Sequence, residues 1–401
     1  MRWTERLILL VVCCSGASLL LGQQNLDDFF RQRLRERRIN QTSDRPAADP
    51  TDRPAWIEQV TVRTKTDEYD FNRQEYVLRL SPTTPRIRRA QLKSRELLLD
   101  RANWAADELR MDWIDRTYEE TLDLYAATRE AELQRDLLLV LRDQERVWQR
   151  LLATTQNPKD WIEAQEAILA AETDLQRNVA RRAELLPNGT EVAVDSLVSL
   201  ARIRTFVTNH LTNASASSYL QNQQNLDRAL LDAEVELERA EGRRIFDFLE
   251  AEYRGPHSDP FRQRLNLTAS FELSRSGSRW LKLQELAVER DLLNREQRTE
   301  LELHADERRR RAQELLRRID IWEDARRRSS AQAARADQLV KRASGREGVN
   351  PLLQLYQRER TIRQEMDFLE LELKIYEEYL AYLAHTMLLY EVPVRNYLRR
   401  M

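Results

Sequence analysis

The chain has 401 residues, of which only 8 are Gly and 11 are Pro, so it is poor in turn-forming residues for its length. This composition excludes a loop-rich or all-β protein, and a charged fraction of 33% beside 41% hydrophobic residues favours long helices with narrow apolar stripes. A formal net charge of −2 provides no basic field for a polyanion, so no nucleic-acid partner is predicted.

The first residues have the pattern of a secretory signal peptide. Two arginines precede an apolar run, and small residues follow it up to Ala17. The pattern predicts a signal peptide over residues 1–17, with residue 22 as an alternative end, and therefore export from the cytoplasm. A retained signal anchor and lipidation of Cys13 or Cys14 are the other interpretations. No later stretch has the ~20 apolar residues that a spanning helix needs.

A candidate β-hairpin follows an N-terminal segment of residues 18–53. Over residues 56–80, apolar and polar side chains alternate on both sides of a polar turn, which is the pattern of two half-buried strands. Glu58 shares a strand face with two apolar residues, so one charge conflicts with membrane insertion whichever way the strand faces. The alternating apolar positions are Trp56, Val60, Val62, Tyr76, Leu78 and Leu80.

The segment after this hairpin predicts a very long helix. Neither Pro nor Gly occurs between Arg86 and Asn157, and good helix formers dominate the composition. Asn157 and Pro158 then have the residue types that cap and start a helix, so we expect a tip near residue 157 and a returning helix. The predicted helical hairpin spans residues 86–187 and completes a first repeat over residues 54–187.

The second half of the chain repeats this order at a spacing of 193 residues. Asn157-Pro158 aligns with Asn350-Pro351, and Leu80 aligns with Leu273, without a gap over 77 residues. After an inter-repeat segment of residues 188–218, the second repeat covers residues 219–391, and a C-terminal tail of residues 392–401 ends the chain. The parts of the second repeat are a helix over 219–243, a β-hairpin over 244–273 and a helical hairpin over 279–391 with a tip near 350.

The last helix has a coiled-coil seam, because apolar residues recur alternately three and four positions apart. Glu359 is the only polar member, and further apolar residues beside the seam indicate contact with more than one neighbouring helix. The seam comprises Leu352, Leu355, Glu359, Ile362, Met366, Leu369, Leu373, Tyr376, Leu380, Leu383, Met387 and Tyr390. The flanking apolar residues are Phe368, Leu371, Ile375, Tyr379 and Tyr382.

The duplicated unit resembles the TolC-like outer-membrane efflux proteins. The segment Ala343–Leu353 is similar to the family's glycine-containing tip and its Leu-rich returning helix, and Tyr219–Tyr253 is similar to the helix that leads into the second hairpin. The resemblance implies a mainly α fold, in which very long antiparallel helical hairpins form a coiled coil. Two short β-hairpins and an internal two-fold repeat complete the implied fold.

The same resemblance implies an assembly and a location. In that family, three protomers each contribute four strands to a twelve-stranded barrel in outer-membrane lipid and four helical strands to a periplasmic tunnel. The implied partners are therefore two further copies of the chain, a periplasmic adaptor (membrane fusion) protein and an inner-membrane transporter. The implied function is a passive conduit for efflux or type I secretion-like export. A periplasmic coiled-coil scaffold or adaptor without a pore is the alternative hypothesis.

No residue pattern indicates catalysis, a cofactor or a metal site, so the chain is predicted not to be an enzyme. The four histidines are far apart, and the acidic neighbours of His304, Asp306 and Glu307, belong to a run of charges typical of a solvated helix face. The sequence has no glycine-rich phosphate loop or nucleophile elbow. The candidate site is the pair of tips, interpreted as an adaptor-docking surface and a gate, in which Asp160 or Glu347 forms a negative ring that favours cations. Two solvent-exposed turns without function are the alternative. The predicted tip residues are Asn157, Lys159, Asp160, Gly345, Glu347, Gly348 and Asn350.

Overall fold

The computed structural model of the chain describes most of the sequence after the predicted signal peptide. The described residues are 24–37, 55–66, 74–155, 158–186, 192–193, 197–213, 218–244, 246–254, 264–271, 277–344 and 351–399. The predicted signal peptide and both cysteines lie outside these ranges.

Long helices account for most of the described residues, and short strands for the rest of the regular structure. The helices are α1 (Leu26–Glu36), α2 (Pro85–Thr155), α3 (Lys159–Leu185), α4 (Leu200–Asn213), α5 (Ser218–Glu241), α6 (Gly277–Ser344) and α7 (Pro351–His385), and a 3₁₀ turn follows at Leu388–Tyr390. The strands are β1 (Gln24–Asn25), β2 (Ile57–Thr66), β3 (Gln74–Pro82), β4 (Val192–Ala193), β5 (Phe246–Arg254) and β6 (Arg264–Phe271). The predicted mainly α fold, with long helical hairpins and two β-hairpins, is confirmed.

Local sequence explains the length of the two longest helices. α2 has 71 residues and α6 has 68, and neither contains Pro or Gly beyond its first position. Pro85 begins α2, where a missing backbone N–H removes no helical hydrogen bond. The hydroxyl of Thr84 accepts a hydrogen bond from the Ile87 N–H at 3.3 Å and so satisfies one free donor of the first turn.

The chain divides into two compact units. The first contains Met1–Thr42, Arg110–Ser215 and Asp306–Met401, and the second contains Ser43–Leu109 and Ala216–Ala305. α2 and α6 therefore contribute to both units. Among the described helices, none has an apolar stretch long enough to cross a membrane.

The first unit has a core rich in tyrosine. Tyr118, Tyr376 and Tyr382 are buried, and each hydroxyl has a hydrogen-bond partner. The Tyr376 hydroxyl donates to the carbonyl of Val198 at 2.8 Å, and the Tyr382 hydroxyl lies 2.8 Å from His210 Nδ1. Burial raises the pKa of Tyr382 to about 12, so this hydroxyl stays neutral near pH 7. The core thus buries these three tyrosines with a hydrogen-bond partner for each hydroxyl.

The predicted seam is the part of α7 that packs against this core, with two corrections. Leu371 is 40% exposed, so it does not widen the seam, because it lines an open groove between α6 and α7 and is not covered by their packing. The helix ends at His385, and Met387 has a left-handed backbone with φ 63°, so Met387 and Tyr390 lie beyond the helical seam. The buried residues of α7 are Leu352, Leu369, Ile375, Tyr376, Tyr379, Tyr382 and Leu383.

The segments outside the two repeats also belong to the core of the first unit. In the N-terminal segment, Asn25 caps α1 by accepting a hydrogen bond from the Asp28 N–H at 2.8 Å. In the inter-repeat segment, Ile203 of α4 is buried. In the C-terminal tail, Leu398 is 1% exposed, and its carbonyl accepts a hydrogen bond from the Val198 N–H at 3.0 Å. These segments therefore pack together with the two helical hairpins in one core.

In the second unit, α5 contacts both α2 and α6. Toward α2 there is a small buried cluster of Ile87, Ala90 and Ala240. Toward α6 the buried contact is polar, since the side chains of Gln224 and Gln297 each donate to the other residue's backbone carbonyl, at 3.2 and 3.0 Å. Farther along α2, Trp104 contacts Tyr219 of α5 with ring centroids 4.3 Å apart.

The other part of the second unit is one antiparallel sheet with the strand order β2-β3-β5-β6. The two β-hairpins join through β3 and β5, so that Leu80 lies opposite Val60 on one side and Leu249 on the other. Within the described residues, β2 and β6 each pair with one strand only. The sheet therefore has two open edges.

Candidate functional site

One face of the four-stranded sheet is apolar and exposed. Leu265 and Leu267 are 67% and 70% exposed, although both lie within the paired part of β6. A continuous exposed apolar surface of this kind marks contact with lipid or with another protein. The residues that the strand register places on this face are Val60, Val62, Thr64, Tyr76, Leu78, Leu80, Leu249, Ala251, Tyr253, Leu265, Leu267 and Ala269.

The opposite face of the sheet is polar and charged. Arg254 pairs with Glu252 at 2.6 Å and with Glu75 at 3.2 Å, so ions of neighbouring strands neutralise one another. The rows of this face contain Thr61, Arg63, Lys65, Glu75, Val77, Arg79, Glu250, Glu252, Arg254, Arg264, Asn266 and Thr268. The sheet is therefore amphipathic across all four strands, with one face suited to water and one to an apolar phase.

A β-bulge removes the conflict that the sequence predicts at Glu58. The pairing shifts between Ile57 and Gln59, so Glu58 has no partner of its own and the alternation restarts beside it. Its carboxylate instead pairs with Arg244 Nη1 at 2.6 Å. The expectation that Glu58 shares one strand face with Trp56 and Val60 is wrong, because strict alternation does not extend from Trp56 to Val60.

The second hairpin has a bulge at the equivalent place. Between Phe246 and Phe248 the register shifts again, and Asp247 is the extra residue. Asp247 lies 4.0 Å from Arg79, and the rings of Phe246 and Phe271 are in contact with centroids 5.5 Å apart. Both first strands of the repeats thus place an acidic residue in a bulge, which keeps it out of the apolar face.

The predicted tip residues are only partly described. Asn157, Gly345, Glu347, Gly348 and Asn350 lie outside the described residues. Lys159 and Asp160 occupy the first turn of α3, and Lys159 Nζ lies 3.7 Å from Glu163 Oε1. A carboxylate in the first helical turn, such as Asp160, is favoured by the helix macrodipole.

The two helical hairpins contact each other close to the ends where their helices turn. Gln144 Nε2 donates to Glu359 Oε2 at 2.8 Å. Gln144 is about three turns before the end of α2, and Glu359 is about two turns after the start of α7. The C-terminal end of α2 and the N-terminal end of α7 therefore lie at the same end of the first unit.

Sequence reasoning did not find an acidic groove between these hairpins. Asp136 and Asp143 of α2 and Asp337 of α6 line it, together with Arg358 of α7. The helical spacing of the first two aspartates is visible in the sequence, but the third comes from a distant helix. Across the part of the chain that the structure describes, no group of His, Cys, Asp or Glu side chains is arranged to hold a metal ion.

Comparison with known proteins gives matches in structure alone. No family model and no curated protein matches the chain. Three solved channel structures are similar to it over most of their length. CusC, studied for folding and transmembrane channel formation, has a TM-score of 0.54 at 11% identity and covers 90% of this chain and 89% of its own. The Campylobacter jejuni outer-membrane channel CmeC has a TM-score of 0.54 at 10% identity, with coverages of 92% and 84%. The outer-membrane channel OprN has a TM-score of 0.53 at 15% identity, with coverages of 90% and 87%.

Proposed function

Because this chain has the fold of the TolC-like outer-membrane channels, we propose that it is the outer-membrane component of an export conduit. The observation that supports the proposal is the sheet, whose apolar face is exposed in one chain while its opposite face is charged. A protein that keeps such a face in water risks aggregation, whereas a bilayer would cover it.

The number of strands supports an assembly of three chains. Four strands cannot close around a pore, since even the smallest bacterial membrane-spanning sheets of this kind have eight strands. Three chains supply twelve strands, and pairing β6 of one copy with β2 of the next satisfies both open edges. In this homotrimer the apolar faces contact outer-membrane lipid and the charged faces line water.

The helical hairpins complete the proposed conduit on the periplasmic side. Their turn ends, which carry Lys159 and Asp160 and the other predicted tip residues, are the proposed docking surface for a periplasmic adaptor protein. An inner-membrane transporter supplies the energy and the choice of substrate, so the conduit itself is passive. The signal peptide over residues 1–17 delivers the chain to the periplasm in this proposal, and no catalytic role is part of it.

Conductance in planar bilayers tests the proposal. Purified full-length protein should sediment as a trimer in detergent and give ion channels after reconstitution. Replacing Asp160 by Asn should lower cation selectivity, because it removes one negative charge per chain at the proposed gate. Glu184→Gln, at the opposite end of α3, is the matched control and should leave selectivity unchanged. A folded monomer without bilayer activity would contradict the proposal and favour a periplasmic scaffold.

A further inference from the structure

A groove lined by cations lies where α2 begins and α5 ends, in the second unit. Arg86, Arg89 and Lys93 line it from α2, and Arg239 and Arg243 line it from α5. Its floor is narrow because the two helices meet through small residues, Ala90 and Ala240, which are both buried. Five basic side chains therefore surround a single depression.

Most of this positive charge is not neutralised. Lys93 Nζ pairs with Glu236 Oε2 at 3.0 Å, and among the described residues Glu236 is the only acidic one that lines the groove. Within the described part of the chain, the guanidinium groups of the four arginines form no ion pair. The groove thus has a net charge of +4, from five cations and one carboxylate.

On the side of α5 that faces α6, the cations have acidic partners. There Lys282 of α6 lies 2.7 Å from Glu238, and Arg290 lies 3.2 Å from Asp232. The same helix therefore presents carboxylates to the cations of α6, whereas toward α2 it presents two arginines and the single carboxylate of Glu236. The protein balances its own charge on one side of α5 and leaves most of it unbalanced on the other.

Unbalanced charge at this position is electrostatically unfavourable. The first turn of α2 contains no acidic residue, although the N-terminal end of a helix carries partial positive charge and favours anions. Like charges on two adjacent helices repel, and the repulsion disappears when an anion binds between them. An anion of charge −1 to −2 with several acceptor oxygens would satisfy more than one guanidinium at once.

We infer that the groove binds a phosphate group. A guanidinium group is planar, and two of its N–H donors can bind two oxygens of one phosphate. One phosphate can also accept hydrogen bonds from several arginines at once. The phosphate could belong to a membrane lipid headgroup or to a small soluble molecule. The lipid source rests on the proposed function, in which the sheet spans a membrane. Because α2 begins only three positions after β3 ends, the groove would then lie at the level of the lipid headgroups.

Binding of defined probes to the full-length protein in nonionic detergent tests the inference. The probes are phosphatidylglycerol, zwitterionic phosphatidylcholine and inorganic pyrophosphate, each measured by native mass spectrometry and titration calorimetry. The triple variant Arg86→Gln, Arg89→Gln, Arg243→Gln should lose affinity for the bound probe by at least about tenfold. Its control is Arg328→Gln, Arg335→Gln, Arg360→Gln, which removes the same charge from exposed positions elsewhere and should bind as the unmodified protein does.

The probe that binds distinguishes a lipid ligand from a soluble one. Selective binding of phosphatidylglycerol supports the lipid source, and binding of pyrophosphate supports a soluble ligand. The inference is overturned if neither probe binds better than phosphatidylcholine, or if both triple variants lose binding equally. If the groove triple variant does not fold, the single variants Arg89→Gln and Arg243→Gln should each give a smaller loss. Channel conductance is measured on the same preparations, so retained pyrophosphate binding without channels would contradict the proposed function alone.

Discussion

The core of the first unit and the sheet of the second use apolar residues in opposite ways. Leu383 on α7 is 0% exposed, whereas Leu267 on β6 is 70% exposed. Both belong to regular apolar patterns, with helical spacing in one case and strict alternation in the other. The helices bury their apolar faces against other helices of the same chain. Within the described residues, no second layer covers the apolar face of the sheet.

This difference implies that the two regions respond differently to the same kind of substitution. A polar residue in the helical core should act on folding of the single chain. A charge on the apolar face of the sheet should act on insertion and assembly. Substitutions in the two regions test that separation.

Leu383→Asp should have the largest effect, because it places an unpaired carboxylate in a fully buried position. We expect the free energy of unfolding to fall by about 3–5 kcal/mol. Leu373→Asp and Leu380→Asp, at half-buried positions of the same seam, should cost less but still shift the transition. Urea denaturation followed by circular dichroism measures the change. Leu371→Asp is the matched control on the exposed side of α7, and an equal loss there would contradict the burial pattern.

Leu267→Arg should leave the unfolding of the helices unchanged and reduce membrane insertion. An arginine on a lipid-facing strand costs about 2–4 kcal/mol near the middle of the bilayer. The measurement is the amount of oligomer in the membrane fraction by semi-native gel electrophoresis. Thr268→Arg, on the charged face of the same strand, is the control and should assemble normally. If both variants assembled equally well, the apolar face would not contact lipid.

Tyr376→Phe should have a smaller effect on the helical core. The substitution removes the hydroxyl that donates to the Val198 carbonyl at 2.8 Å and leaves that buried acceptor without this donor. We expect a loss of about 1–2 kcal/mol in the free energy of unfolding, with no change in assembly of the sheet. Denaturation and gel electrophoresis on one preparation measure both quantities. A loss of assembly at unchanged stability would argue against two independent regions.

Glu372→Gln should give the smallest effect, and one that depends on pH. Burial raises the pKa of the Glu372 carboxyl above its ordinary value of 4.5, while the hydrogen bond from Tyr376 partly opposes the shift. The contribution of the protonated acid to stability is therefore complete below pH 4.5 and is lost as the pH rises through the raised pKa. Gln stays neutral, so the variant should gain in melting temperature relative to the unmodified protein as the pH increases. A constant difference between pH 4 and 8 would contradict the shift.

Much of the fold was predictable because it follows from local properties of the sequence. The absence of Pro and Gly between Arg86 and Asn157 favours one uninterrupted helix regardless of what packs against it. The alternation at Val60, Val62, Tyr76 and Leu78 likewise defines an amphipathic strand pair without reference to any partner. These patterns also identified the turn ends of the helical hairpins as the candidate docking surface, where the structure describes Lys159 and Asp160.

Other features arise from contacts between residues far apart in the chain, which local patterns do not determine. The bulges that remove Glu58 and Asp247 from the apolar face are properties of strand pairing and register, which a single strand's alternation does not determine. Whether Leu371 or Tyr382 is buried depends on which side of α7 meets another helix. The cations of the phosphate groove come from α2 and α5, about 150 positions apart, so their unbalanced charge arises only when those helices pack together.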